Sequence, residues 1–252
     1  MLGLAIDSAD RSASAALWRS SSGLGDGIGQ VTRADGAIEL IGQESLGPES
    51  GKADQLISAI ERLLQHKGAR YADLEIIAIN RGPGSFTGIR SGVALVRGLA
   101  LAAELPVLAV TSHEALAASL DIDAPDRPLM VALDARRGEV YAQAFSADGC
   151  PLSEIAARAP AVVAAELEGG RWCLAGSGSG LVTRGFSNTA DVRSIEAATI
   201  DAAGVARAAV VRLLRGEKPF PGSELKPLYV REPDAVPPSP LIPTAAISEV
   251  RA

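Results

Sequence analysis

The segment Asn80-Arg81-Gly82-Pro83-Gly84-Ser85-Phe86-Thr87-Gly88-Ile89-Arg90 joins a short apolar run to a long helical one. The preceding run, 74–79, is rich in β-branched residues and reads as a buried strand. The Gly82-Pro83-Gly84 triplet interrupts regular structure, because glycine admits positive φ and proline lacks an N–H donor. Ser85 suits the N-cap of a helix running to about Glu104, since its hydroxyl can accept from a first-turn N–H. The segment therefore predicts a strand, a tight loop and a helix, the repeating unit of α/β folds.

The predicted helix is apolar or small on two faces instead of one. Its glycines at 88, 92 and 98 each cost ~1 kcal/mol relative to alanine in a helix interior. We therefore expect another backbone to approach closely, either inside the domain or across a subunit interface. The candidate interface residues are Phe86, Gly88, Ile89, Gly92, Leu95, Val96 and Leu99. On the interface interpretation, leucine at Gly88 or Gly92 should abolish pairing and leave the single chain folded.

A glycine-rich loop before a helix can also hold a phosphate with its N–H groups. The triplet lacks both the Gly-Lys-Ser/Thr ending of a P-loop and the Gly-x-Gly-x-x-Gly dinucleotide fingerprint. Phosphate binding by this loop is therefore the least favoured of the three interpretations.

Bulk composition limits the function classes. The chain has 252 residues, a net charge of -6 and 47% hydrophobic residues, so it is a poor non-specific binder of nucleic acid. Cys150 and Cys173 form no CxxC pair, which indicates a reducing compartment and no disulfide framework. The sequence contains no apolar run of the length that a membrane span needs, and its start lacks a basic signal-peptide region. We expect a cytoplasmic protein.

Strand and helix signals alternate along the chain. Three strand candidates (2–7, 12–18 and 38–44) form a meander, followed by alternating helix and strand. This order is the opening of an actin-like or sugar-kinase-like half, the ASKHA architecture, which is ribonuclease H-like. We predict two tandem ASKHA halves in an α/β chain. The first is 1–110, with 217–235 returning to it, the second is 111–216, and 236–252 is a Pro-rich, disordered tail.

In the ASKHA architecture, turns at the strand ends approach a nucleotide phosphate. Residues at comparable places form a possible degenerate nucleotide site: Asp7, Ser8, Asp134, Arg136, Gly176 and Gly178. The alternative is that Asp7 caps a turn, that the 134–138 segment is a solvated hairpin tip, and that the 176–180 glycines form a flexible loop.

Several motifs resemble the signature of the bacterial TsaB (YeaZ) family. They are Arg81-Gly82-Pro83-Gly84-Ser85-Phe86-Thr87-Gly88-Ile89-Arg90 with Arg97-Gly98-Leu99-Ala100, Thr111-Ser112-His113-Glu114-Ala115-Leu116-Ala117, Asp134-Ala135-Arg136-Arg137-Gly138-Glu139-Val140-Tyr141 and Pro227-Leu228-Tyr229-Val230-Arg231. The segment 47–53 departs from the family, which often has a histidine there. The resemblance implies a non-catalytic relative of TsaD that helps to form threonylcarbamoyl on the adenosine next to the anticodon of ANN-decoding tRNAs.

The resemblance also implies the partners. They are TsaD, the ATPase TsaE and, in the absence of TsaD, a second copy of the chain, with tRNA reached only through the complex. No catalytic residue, metal or cofactor is expected, and ATP or ADP would bind only weakly or in the complex.

Two enzyme interpretations remain open beside this one. An ATP-dependent kinase or transferase of the same architecture would use Asp7, Asp134 and the 176–180 loop. A metallopeptidase would need clustered ligands, and the only histidines, His66 and His113, lie far apart, each predicted as a surface residue at a helix end.

Overall fold

A computed structural model describes residues 1–10, 12–20, 36–47, 52–120, 127–187, 191–195 and 199–231. The strands among them are β1 Leu2–Asp7, β2 Ala13–Ser20, β3 Ile38–Leu46, β4 Ile76–Asn80, β5 Pro106–Val110, β6 Leu129–Arg136, β7 Glu139–Phe145, β8 Ala156–Arg158, β9 Arg171–Ala175, β10 Asp191–Ile195 and β11 Phe220–Pro221. The helices are α1 Lys52–His66, α2 Phe86–Ala102, α3 Ser112–Ser119, α4 Pro160–Leu167, α5 Ser179–Thr183 and α6 Ala202–Leu214. The disordered tail predicted for 236–252 lies outside the described residues, as does 232–235.

The first sheet has the order β11-β5-β4-β1-β2-β3 within the described chain. Strands β1, β2 and β3 form an antiparallel meander, whereas β4 and β5 run parallel to β1. Side chains of β1 alternate between two apolar layers: Leu4 and Ile6 face one and Ala5 faces the other. Both faces of the sheet are thus covered, which explains why its strands read as continuous apolar runs.

The second sheet repeats this topology. Its order is β10-β9-β6-β7-β8, with β6, β7 and β8 as the antiparallel meander and β9 and β10 parallel to β6. Two consecutive halves with one strand order form the tandem ASKHA-type α/β fold that the sequence predicts.

Helices α1 and α2 cover one face of the first sheet, and α6 covers the other. The alanine-rich sequence of α6 allows a close approach: a Cβ added to Gly204 would lie 2.6 Å from the carbonyl oxygen of Ala115 in α3. The predicted division placed 202–214 in the second half. In the structure, the buried residues of α6 pack against Trp18 and Leu108 of the first sheet.

The chain then returns along the first half. Strand β11 pairs with β5, Leu225 is buried in the core with α2, and the N–H of Leu228 donates to the carbonyl of Arg81 at 2.9 Å. Beyond that, Arg231 is paired with Glu139 of the second half. The described part of the tail therefore runs from the first sheet across to the second half.

None of the helices in the described ranges has the length and apolar character needed to span a bilayer.

Candidate functional site

Gly88 and Gly92 lie against the turn that follows β1. A Cβ added to Gly88 would overlap the carbonyl oxygen of Ser8, and one added to Gly92 would overlap the Ser8 hydroxyl oxygen. The Ser8 hydroxyl donates to the Gly88 carbonyl at 2.9 Å, which fixes the two backbones together. Of the two interpretations of these glycines, the close approach inside the domain is the one observed. Leucine at either position would disrupt the chain itself, so the expectation that it would leave the fold intact is corrected.

The remaining candidate interface residues divide by burial. Ile89 and Val96 are buried in the core of the first half, whereas Leu95 and Leu99 are half-buried and pack against it. Phe86 is 49% exposed. The accessible side of α2 lies elsewhere on the helix and includes residues that the sequence analysis did not select, namely Thr87, Ala94, Gly98, Leu101 and Ala102.

The loop between β4 and α2 uses its N–H groups within the chain. The N–H of Gly82 donates to Asn80 Oδ1 at 2.9 Å, and that of Ser85 donates to the Ala9 carbonyl at 2.6 Å. The Ser85 hydroxyl accepts from the Gly88 N–H at 3.3 Å, as the N-cap prediction requires. These donors already have partners, which supports the sequence argument against a phosphate loop here.

A buried polar cluster lies where β1, β4 and β5 end. Asn80 Nδ2 donates to Asp7 Oδ1 at 2.8 Å, and the Ser112 hydroxyl lies 3.0 Å from Asn80 Oδ1. Asp7 is 1% exposed and its Oδ2 atom has no hydrogen-bond partner among the described residues. Burial raises the pKa of the Asp7 carboxyl to about 7, against the hydrogen bonds from Asn80 and Ala9 that lower it. Asp7 and Ser8 are therefore almost inaccessible to solvent, because neighbouring residues of the same chain cover them.

In the second half, Asp134 and Arg136 lie at the corresponding end of β6. The N–H of Asp134 donates to the Ser177 hydroxyl at 3.0 Å, and that of Arg136 donates to Asp134 Oδ1 at 2.8 Å. Gly176 has φ +109° and packs against the Ala132 carbonyl, and Gly178 packs against the same strand. The structure therefore brings these four candidates together. Because Gly176 and Gly178 have no side chain, both can pack closely against β6.

Sequence reasoning missed His113. It is buried at the start of α3, and its Nε2 lies 3.0 Å from the carbonyl oxygen of Tyr141 in β7, so it donates from α3 to the second sheet. Burial lowers the pKa of His113 to about 4, so the imidazole is neutral near pH 7. The surface prediction fails for His113 and holds for His66, which is exposed at the end of α1. The described residues contain no group of three His, Cys, Asp or Glu side chains arranged for a metal ion.

Both the sequence and the fold of this chain resemble those of known proteins. A family model described as TsaD, tRNA N6-adenosine threonylcarbamoyltransferase, matches residues 51–172. The tRNA threonylcarbamoyladenosine biosynthesis protein TsaB of Escherichia coli K12 is 32% identical over 145 residues, which cover 58% of this chain and 55% of that protein. This chain thus spans about half the length of that curated relative. An uncharacterized protein of Mycobacterium bovis is 30% identical over 210 residues, which cover 83% and 88% of the two chains.

A solved structure from Pseudomonas aeruginosa, described as an uncharacterized protein with similarity to peptidase YEAZ, superimposes with a TM-score of 0.73. The two chains are 26% identical, and the match covers 91% of this chain and 99% of that one. The doubled sheet topology, with polar residues at the ends of β1 and β6, defines a tandem α/β protein of the ASKHA type. Within this class, the motifs around α2 and the sequence identity to the relatives identify the family. The chain belongs to the TsaB (YeaZ) family.

Proposed function

We propose that the chain acts in the cytoplasm as a non-catalytic partner of TsaD. In this role it helps to form the threonylcarbamoyl group on the adenosine next to the anticodon of ANN-decoding tRNAs, and TsaE joins the pair. Curated relatives bear the name of tRNA threonylcarbamoyladenosine biosynthesis proteins. TsaD carries the transfer chemistry, and this chain supplies a surface on which TsaD is held.

The observation that carries the proposal is the accessible side of α2. Leu101 is 83% exposed, and a Cβ added to Gly98 would meet no atom within 4 Å. Within one chain, alanine at 98 would stabilise the helix by ~1 kcal/mol, and burying a leucine side chain is worth ~1.5–3 kcal/mol. A second helix crossing at Gly98 would account for both features, because a small residue lets two backbones approach.

The family match supports TsaD as the source of that second helix. The TsaD family model covers residues 51–172, which include the whole of α2. A TsaD chain would therefore present a helix of similar character, and so would a second copy of this chain. We expect the two to compete for one face, so that a self-dimer converts to a one-to-one heterodimer when TsaD is added.

The test measures mass by light scattering after size exclusion, for the chain alone and mixed with TsaD of its host. The wild type should form the heterodimer. Leu101→Glu should lower the affinity at least tenfold, because a carboxylate would have to lose its water at the contact. Gly98→Leu should act in the same way by separating the backbones, and neither change disturbs the chain's own packing.

Val162→Glu is the matched control, because Val162 is 54% exposed on α4 of the second half. It should pair as the wild type does. A wild-type chain that stays monomeric and ignores TsaD would overturn the proposed function. Pairing that survives both α2 changes would move the contact to another surface.

A further inference from the structure

Three side chains form a cluster at the start of α2, which we call the aromatic platform: Phe86, Arg90 and Tyr229. The guanidinium carbon of Arg90 lies 3.7 Å from the centre of the Phe86 ring, and Arg90 Nε donates to the Tyr229 hydroxyl at 2.7 Å. The two ring centres are 5.8 Å apart with an interplanar angle of 37°. Arg90 thus holds both rings in place, and its contact with Phe86 is a cation–π interaction.

The platform is accessible. Phe86 is 49% exposed and Tyr229 is 42% exposed, which places both among the large apolar side chains that the described chain leaves in contact with solvent. The rings gain nothing by exposure, since burying aromatic surface is favourable. Fixing exposed rings with a guanidinium prepares a rigid aromatic surface, and a rigid surface binds a flat ligand with little loss of side-chain entropy.

Exposed cations occur along α2 and the returning segment that together form the platform, although the whole chain carries a net charge of -6. Arg90 and Arg97 lie on the same side of α2, and Arg97 donates to the carbonyl of Ser223, close in sequence to the exposed Lys226. Within the described ranges, none of these three cations has an ion pair with a carboxylate. Glu224 is exposed two residues before Lys226.

Exposed aromatic rings beside unpaired cations match the chemistry of single-stranded nucleic acid. Each base has a flat π-face that stacks on an aromatic side chain, and the adjacent phosphates attract guanidinium and ammonium groups. Protein partners also use Tyr and Arg anchors, but they bury them in fitted pockets. Exposed cations on an otherwise acidic chain therefore favour a nucleic-acid ligand over a protein partner at this platform.

We propose that the aromatic platform stacks an unpaired base of the tRNA anticodon loop, while Lys226 contacts a phosphate beside it. This inference rests on the proposed function and adds to it a direct contact between this chain and the RNA. The RNA is then held by both members of the pair, with this chain positioning the loop and carrying out no chemistry on it.

The experiment uses the complex of this chain with TsaD and an anticodon stem-loop RNA in which 2-aminopurine replaces each loop base in turn. Stacking on an aromatic ring quenches 2-aminopurine fluorescence. Wild type should quench it at one loop position. Phe86→Leu should remove the quenching and weaken RNA binding about 5- to 150-fold, because stacking of one base on an aromatic side chain is worth ~1–3 kcal/mol. Phe86→Trp should restore both.

Three further variants separate stacking from structure. Tyr71→Leu, which changes a half-buried tyrosine elsewhere on the first half, should leave quenching unchanged. Tyr229→Phe removes only the hydroxyl that accepts from Arg90, so the ring should continue to stack. Lys226→Ala should reduce the slope of log affinity against log salt by about 0.7, since each phosphate contact contributes ~0.7 for single strands.

The outcomes are distinguishable from those of the pairing test. Quenching and RNA affinity that stay at the wild-type level in Phe86→Leu would overturn this inference and leave pairing with TsaD intact. Loss of pairing in Phe86→Leu would assign the platform to the protein contact and would also overturn it. A wild-type chain that neither pairs with TsaD nor quenches the probe would remove both proposals.

Discussion

Gly88 and Gly98 lie on the same helix but have different surroundings. A Cβ at 88 would overlap the Ser8 carbonyl, whereas one at 98 would point into open space. Gly88→Ala should therefore lower the free energy of unfolding by about 2–3 kcal/mol, as overpacking does. Gly98→Ala should raise it by up to ~1 kcal/mol. Urea denaturation of the two variants measures the difference, and equal effects at the two positions would contradict the packing described for Ser8.

Asp7 should make stability depend on pH. Its pKa is about 7 in the folded chain against an ordinary value of 3.8, so the folded state binds the extra proton between these values. The stabilisation is complete below pH 3.8 and is lost as the pH rises through 7. Asp7→Asn does not titrate, so its melting temperature relative to wild type should increase from pH 4 to 7 and then level off.

His113 acts in the opposite sense and serves as the control for this measurement. Its folded pKa of about 4 lies below the ordinary 6.5, so the unfolded chain binds the extra proton and stability falls as the pH drops from 6.5 through 4. A pH profile of Asp7→Asn should retain this acid-side loss. A melting temperature difference between Asp7→Asn and wild type that does not change with pH would show that Asp7 is ionised normally.

At the scale of elements, Arg212 joins α6 to α3 and to β5. Its side chain donates to Glu114 Oε1 at 3.0 Å, to the carbonyl of Ala109 at 2.6 Å and to Glu217 Oε1 at 3.0 Å. Glu114 also completes the capping box of α3 with Thr111. Because the Arg212 and Glu114 side chains are 23% and 15% exposed, Arg212→Met should cost about 2–3 kcal/mol, somewhat less than breaking a fully buried pair.

Arg62→Met provides the matched comparison. Arg62 pairs with Glu44 at 3.4 Å, but the two side chains are 49% and 28% exposed. Exposed pairs are worth ~0–1 kcal/mol, so this change should have little effect on the free energy of unfolding. Similar losses in the two variants would indicate that the Arg212 network is no stronger than a surface pair.

The elements themselves were largely predictable from sequence, and their orientation was not. The apolar run before Asn80, the Gly82-Pro83-Gly84 break and the Ser85 cap predicted β4, the loop and α2 at nearly their observed bounds. The buried side of α2 could not be predicted, because Gly92 and Gly98 look alike in a sequence. What distinguishes them is Ser8, a residue distant in the chain that packs against one and leaves the other free.

At the scale of the whole molecule, prediction from the sequence was also incomplete. The division into two tandem halves was predictable, since the meander at the start of the chain is followed by alternating helix and strand. The position of α6 was not, because an alanine- and valine-rich helix fits either sheet. Helix α6 covers Trp18 and Leu108 on one face of the first sheet. The sequence alone does not predict this contact, because the residues involved are far apart in the chain. His113 was missed for the same reason, since its partner Tyr141 lies 28 residues further along the chain.

The placement of α6 and β11 has a consequence for synthesis of the chain. A ribosome that has made only the first two hundred or so residues has produced every strand of the first sheet except β11, but not the helix that covers Trp18, Ile76 and Leu108. During that interval an apolar sheet face is open to water, and such surfaces aggregate or recruit chaperones. The second half contains its own sheet and α4, so it is complete earlier than the half that precedes it. The N-terminal half therefore finishes folding last, reversing the usual order of synthesis and folding.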